Sequence, residues 1–264
     1  MSLVDAFKRS EFVHLRGDVI AQVGDDHGDI TVIDDKEYRI LSFDSIFEQS
    51  KMHKGSPALP VHNYIKAMLM VLALTSPQRV LHLGLGGGGL VRSLHAWSEG
   101  IVMDVVELRS AVVSVARQYF CLPDSDNIRY LIDDAGAFIN KEEHAGVYDL
   151  IFSDLYSADA MAEVQAKGNF LAACADRLSA DGWLVMNYHS RPGRNSLLSH
   201  ALFTLFETVM YCTTPSGNVV MYACKSSCDT PLREIQRQAR AVGKRFGGDF
   251  ETLVPRLAFW PRPF

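Results

Sequence analysis

Two hydropathy patterns divide this chain. Over residues 18–44, short apolar runs alternate with polar turns. Residues 19–23 read as a strand, 24–29 as a turn, and 30–33 and 38–43 flank Asp34-Asp35-Lys36 as a hairpin. From residue 79 the period changes. Apolar runs at 80–85, 101–107, 128–132, 149–154 and 182–188 read as strands, and helical stretches at 89–98, 109–119, 160–178 and 195–206 fall between or after them. That alternation predicts right-handed crossovers and a parallel sheet. The last two apolar runs, 207–213 and 218–224, are separated only by Thr214-Pro215-Ser216-Gly217, so the sheet is expected to end in an antiparallel hairpin. Between the two patterns, 49–60 reads as a loop carrying Gly55, Pro57 and Pro60. Residues 61–74 read as a helix ended by Thr75-Ser76-Pro77. The pattern predicts a β domain over 1–60, an α/β domain over 61–228 and a helical then extended tail over 229–264.

Composition narrows the class. The 264 residues are 48% hydrophobic and 22% charged with a net charge of −5, which suits a globular fold with a sizeable core. No basic stripe favours nucleic acid; Arg233, Arg237, Arg240, Lys244 and Arg245 read as the solvated face of one helix. The five cysteines are scattered without CxxC spacing and read as reduced thiols, which places the expected compartment in the cytoplasm. Residues 1–16 lack the apolar core of a signal peptide, and no apolar window is long enough to span a bilayer, so no membrane partner is expected.

The chemistry gathers at the ends of the predicted parallel strands. Gly84 and Gly86 to Gly89 follow the first of them and precede a helix. A strand that turns through glycine into a helix brings bare backbone and a helix N-terminus up to a ligand. Glu107 ends the next strand, where an acid accepts hydrogen bonds from ribose hydroxyls. Asp133 and Asp134 follow the third strand; an acid there accepts from an adenine amino group or caps the helix over 135–140. Asp154, after the fourth strand, falls in the same crevice, where a carboxylate positions an amine and takes its proton. Tyr156 either shapes that pocket or covers the sheet. His82 reads as a buried, hydrogen-bonded histidine, and His189 follows the fifth strand, within reach of the crevice. No His, Asp, Glu or Cys set has metal-ligand spacing, Gly-x-Ser-x-Gly is absent, and the glycine turn lacks the lysine of a P-loop. A parallel sheet closed by a hairpin is the arrangement of S-adenosylmethionine-type transferases, whereas a dehydrogenase sheet would continue in parallel.

At these residues the chain resembles the spermidine synthase (polyamine aminopropyltransferase) family over about residues 30–225. Arg39 to Asp44 and Gln49-Ser50 resemble its N-terminal hairpin and following Gln. Tyr64 to Met68 resembles its Tyr-containing helix, and Gly84-Leu85-Gly86-Gly87-Gly88-Gly89 stands where it has Gly-Gly-Gly-Asp-Gly-Gly. Val106-Glu107-Leu108, Ile132-Asp133-Asp134-Ala135 and Ser153-Asp154 follow its later motifs. The resemblance implies a Rossmann-like sheet with a small N-terminal antiparallel β domain, in a homodimer or tetramer. It implies aminopropyl transfer from decarboxylated S-adenosylmethionine to an amine such as putrescine. Gln49 would then touch the thioether end, Gly84, Gly86, Gly87 and Gly88 the nucleoside, Glu107 the ribose, Asp133 and Asp134 the adenine, and Asp154 the attacking amine, with Tyr64 and Tyr156 beside it.

The sequence departs from that family in the amine half. Gly87 replaces the loop acid, Ser157 and Ala158 replace the second acid and proline of Asp-x-x-Asp-Pro, and Ile65 and Lys66 replace a polar residue and an acid. Asp159, further along, is the candidate substitute for the second acid. Three readings therefore stand: aminopropyl transfer to an amine, methyl transfer from S-adenosylmethionine to another acceptor, or a non-catalytic nucleoside-binding scaffold.

Overall fold

A computed structural model describes residues 17–43, 47–141, 146–156, 162–248 and 250–264; the reading of 1–16 lies outside them. Strands β1 (Asp18–Asp25), β2 (Gly28–Asp35), β3 (Tyr38–Phe43) and β4 (Phe47–His53) form an antiparallel sheet in sequential order. β4 corrects the loop expected over 49–60. Glu48 to Lys51 is a polar run without β-formers, and it is strand because β3 offers it an edge, with a register irregularity at Leu41/Ser42.

The larger sheet starts after helix α1 (Asn63–Leu69), which tightens into a 3-10 turn over Met70–Ala73. In chain order follow β5 (Arg79–Leu83), α2 (Gly89–Trp97), β6 (Val102–Glu107), α3 (Ser110–Tyr119), β7 (Ile128–Ile132), α4 (Ala135–Ile139) and β8 (Tyr148–Ser153). Then come α5 (Gly168–Arg177), β9 (Leu178–Tyr188), α6 (Leu197–Leu205), β10 (Thr208–Thr213), β11 (Val219–Cys224), α7 (Leu232–Arg245) and β12 (Leu257–Phe259). The expected helix over 160–178 is shorter, with a separate 3-10 turn at Glu163–Ala166.

The strand order is β12-β10-β11-β9-β8-β5-β6-β7. The five strands from β9 to β7 run parallel, and β11, β10 and β12 are antiparallel to their neighbours. The hairpin is therefore not the sheet's edge, because β12 pairs outside β10 at Met210, Tyr211 and Cys212. The chain leaves β5 toward β6 and β7, then returns to β8 on the other side of β5. The order reverses between β5 and β8, which is where ligands enter open α/β sheets.

Alternation along the strands sorts side chains onto two faces. Val80, Met103, Val105, Leu150, Phe152 and Val185 pack under α1, α2 and α7. Leu81, Leu83, Ile151, Leu184 and Met186 pack against α4, α5 and α6. A third core joins the small sheet to α3 through Ile30, Val32, Leu41, Phe43 and Met52 against Val112, Val115 and Phe120. Burying each such side chain stabilises the fold by roughly 1.5–3 kcal/mol, so the small sheet is fixed on the larger one. Arg109 adds a polar clasp: its guanidinium donates to Asp25 at 2.9 and 2.7 Å and to the Gly28 carbonyl at 2.7 Å. Among the described residues no helix is long and apolar enough to cross a membrane.

Candidate functional site

The strand ends at the switch point open into a cavity of about 1320 Å³, walled on its far side by β4. The turn after β5 sets its floor. Gly84 takes φ +94, and a Cβ there would stand 2.3 Å from the Asp154 carbonyl oxygen, so only glycine lets the β5 and β8 ends approach this closely. Gly88 caps α2 in the left-handed region with no side-chain cap, which leaves the first amides of the helix to a ligand.

Arg92 holds the turn from beneath. Its side chain is buried and donates to the carbonyls of Pro57 (2.8 Å), Phe120 (2.8 Å) and Gly87. All three of these partners are neutral, and burial lowers its pKa to about 10. The sequence signal was an arginine in the apolar stripe of Leu90, Val91 and Leu94.

Glu107 lies at the end of β6 beside the turn. It accepts from the amides of Leu85 and Arg109, each at 3.0 Å. Burial pushes its carboxyl up, while those amides and that of Gly86 pull it down. Its carboxylate thus fixes the turn and fronts the cavity together. Asp134 caps α4 by accepting from the Ala137 amide at 2.7 Å, as its helix-cap reading had it, and also lines the cavity. Asp133 turns away into an ion pair with Lys141 and is not part of the cavity wall.

The opposite half is built from side chains. Asp154 follows β8 and is recessed in the cavity between Tyr64 of α1 and Asn187 of β9. Asn187 donates to it at 2.9 Å, and the Tyr64 hydroxyl also bonds to it. Both partners are neutral. Desolvation raises the Asp154 carboxyl to about 6 against these two bonds. Asn218, in the β10–β11 turn, donates to the Asn187 side-chain oxygen at 3.2 Å, and the Tyr156 hydroxyl donates to the Asn187 carbonyl at 3.0 Å. Tyr156 thus shapes the pocket; its ring meets His189 edge-on at 4.7 Å. Ser157, Ala158 and Asp159 lie outside the described residues.

β4 supplies the remaining wall. Gln49 lines the cavity. Ser50, its neighbour, accepts from the Gly87 amide at 2.8 Å. A Cβ on Gly87 would meet the Ser50 Cβ at 2.8 Å and Phe120 at 3.2 Å. The missing loop acid is therefore a packing feature: Ser50 occupies the space a side chain at 87 would need. Glu48 is bridged by Lys51 at 2.9 Å and lies 3.5 Å from the His62 Nε2, and the His62 ring stacks on Tyr64 at 5.4 Å. Sequence reading missed Glu48, His62, Asn187 and Asn218, which no motif connects.

His82 is buried as expected but not hydrogen-bonded at Nε2. Its ring stacks on Phe152 at 5.2 Å, its Nε2 has no partner, and burial lowers its pKa to about 3, because the neighbouring strands offer apolar side chains at its level. Among the described residues no His, Cys, Asp and Glu group is placed to hold a metal ion.

The family profile described as Spermine/spermidine synthase domain matches residues 59–223. A polyamine aminopropyltransferase of Neisseria meningitidis is 26% identical over 235 residues, covering 87% of this chain and 89% of that protein. Among solved structures, a probable spermidine synthase from Corynebacterium glutamicum aligns with a TM-score of 0.71 at 17% identity, over 88% of this chain and 95% of that one. Human methyltransferase-like protein 13, solved in complex with SAH, aligns with a TM-score of 0.63 at 22% identity, over 71% of this chain and 93% of that one.

Proposed function

We propose that this chain, which belongs to the spermine/spermidine synthase family, transfers an aminopropyl group from decarboxylated S-adenosylmethionine to an amine. The carrying observation is Asp154: a recessed carboxylate with only neutral hydrogen-bond partners, facing the cavity that the glycine turn floors. The Neisseria relative, aligned over 87% of this chain, is an aminopropyltransferase, which supports the same reading.

In this reading the turn over 84–89, Glu107 and Asp134 hold the nucleoside, with Gln49 at its thioether end. The acceptor enters as an ammonium drawn to Asp154. A carboxylate held at about 6 takes that proton more readily than an ordinary one. The freed nitrogen lone pair attacks the carbon beside the sulfonium. The C–N bond forms, the C–S bond breaks, and its electron pair stays on sulfur, releasing methylthioadenosine. Tyr64 and Asn187 fix the carboxylate so that the nitrogen and the carbon meet in line, and alignment supplies most of the acceleration.

A second reading, methyl transfer from S-adenosylmethionine, is favoured by one observation. Ser50 and Phe120 leave no space for an acid at Gly87 to grip the amine of an aminopropyl tail. A methyltransferase solved in complex with SAH shares this fold. Calorimetry with methylthioadenosine, decarboxylated S-adenosylmethionine and S-adenosylmethionine separates the two. Aminopropyl transfer requires the decarboxylated donor to bind at least as tightly and an amine to be turned over. A clear preference for the carboxylated donor sinks it, and no binding of any of the three removes both transfer readings.

A further inference from the structure

His82 stands where an apolar residue would serve the sheet better. It is 1% exposed in the interior of β5, with Val105 and Phe152 beside it in register. Its Nε2 has no hydrogen-bond partner among the described residues. A buried polar atom without a partner is destabilising, and the apolar neighbours in the sheet offer it none. The stack on Phe152 needs a ring and not a nitrogen. His82 also lines the cavity, so a bound ligand is placed to supply the partner that the sheet withholds.

Register relates this side chain to Asp154. His82 pairs with Phe152, and Asp154 follows two residues on, its amide still bonded to the Leu83 carbonyl at 2.9 Å. Residues two apart along a strand share a face. His82 and Asp154 therefore project to the same side of the sheet, the side of α1, where Tyr64 bonds to Asp154. One strand spacing across and two residues along put their Cα atoms about 8 Å apart. Ile65, Leu90 and Val91 line the cavity and pack in the same core as Phe152. This side of the cavity thus offers a carboxylate, apolar surface for a short carbon chain, and a second polar group set back from the first.

We propose that His82 is the far subsite of the acceptor: the amine that reacts at Asp154 carries, a short aliphatic chain away, an amino or hydroxyl group that hydrogen-bonds to the His82 imidazole. This rests on the transferase reading above. A neutral imidazole both donates and accepts, so it serves either end group. Burial keeps the ring neutral, so it does not repel an ammonium.

Butylamine, putrescine and 4-amino-1-butanol share one carbon chain and differ at its far end. Calorimetry on the full chain at pH 7.5, with and without methylthioadenosine, reads their affinities. Putrescine or 4-amino-1-butanol is expected to bind roughly tenfold tighter than butylamine, and which of them does so tells an amino end from a hydroxyl end. His82→Leu is expected to bring all three within about twofold of one another and to leave butylamine unchanged. The same variant should resist urea better than the unaltered chain, because the orphaned nitrogen is gone. His82→Gln, which keeps a hydrogen-bonding group, should retain part of the preference. Butylamine binding as tightly as both others to the unaltered chain overturns the proposal, whether or not any variant folds. So does a preference that survives His82→Leu, a loss that the three amines share equally, or no amine binding at all. If the His82-dependent preference holds and decarboxylated S-adenosylmethionine is turned over with none of the amines, the transferase reading falls and the subsite stands. Turnover without a His82-dependent preference leaves the transferase and removes the subsite.

Discussion

The two walls of the cavity are built differently. The wall proposed to hold the nucleoside uses the ends of β5, β6 and β7, and much of what it offers is backbone: the amides of the glycine turn and of α2, braced by Glu107 and Arg92. The acceptor wall uses side chains from α1, β4, β8, β9 and the β10–β11 turn. Backbone recognition tolerates many sequences provided glycine keeps the turn. Side-chain recognition changes with each substitution. In the proposed reading, the first wall would set the ligand class and the second would set which member of a reaction family can operate.

Five changes test that division, beginning with the largest effect. Asp154→Asn should lower turnover about 10²–10⁴-fold while leaving methylthioadenosine affinity within about twofold. The same change should stabilise the fold. The folded-state pKa of about 6 lies above the ordinary 3.8, so the native state prefers the protonated acid. The penalty is absent below pH ~4, grows between pH ~4 and ~6, and reaches about 3 kcal/mol above that. Urea unfolding at pH 4 and 7.5 reads the difference, and equal stability of the two proteins at both pH values would remove the desolvated-carboxylate argument. In the unaltered chain, kcat/KM should fall as pH drops below about 6, since the base must be ionised.

Arg92→Met comes next. It orphans the carbonyls of Pro57, Gly87 and Phe120 and should destabilise the fold by about 3 kcal/mol. Donor affinity should fall with it. A stable Arg92→Met protein with undiminished donor binding would show that the turn holds itself. Gly87→Asp should destabilise by about 1–3 kcal/mol, because its Cβ meets Ser50 at 2.8 Å. Adding Ser50→Gly should recover part of that loss and raise the affinity for the decarboxylated donor relative to S-adenosylmethionine. No change in donor ratio in the double variant would dismiss Ser50 as the specificity plug.

Glu107→Gln should weaken the nucleoside roughly tenfold, about 1.4 kcal/mol, and spare amine binding. An equal loss on both ligands would mean that the walls are one unit. Asn218→Ala is the smallest, about 1 kcal/mol or less, and acts only by loosening Asn187 behind Asp154. It should lower kcat and leave donor affinity alone; a change confined to donor affinity would place Asn218 on the wrong wall.

The same division explains what the sequence disclosed. The glycine turn, Glu107, Asp134 and Asp154 each end or follow an apolar strand, so reading strands also located them. β4 was missed because the residues from Glu48 to Lys51 have no alternating pattern of their own and become strand through pairing with β3. Asp133 and Asp134 are adjacent and chemically alike, and only the structure separates them, one toward the cavity and one toward Lys141. The Glu48–Lys51–His62 cluster and the Asn187–Asn218 pair form no motif, because their members meet through the sheet and not through spacing.

Gly84 and the Asp154 carbonyl touch across strands far apart in the chain, and the Asp154 amide donates to the Leu83 carbonyl at 2.9 Å. That contact exists only once β8 has docked beside β5, after the whole β6–β7 excursion has been closed as a loop. Loop closure of this length costs chain entropy that local contacts cannot offset. The glycine floor of the cavity and the carboxylate proposed as its base are thus born in one event, and a chain stalled before it holds neither.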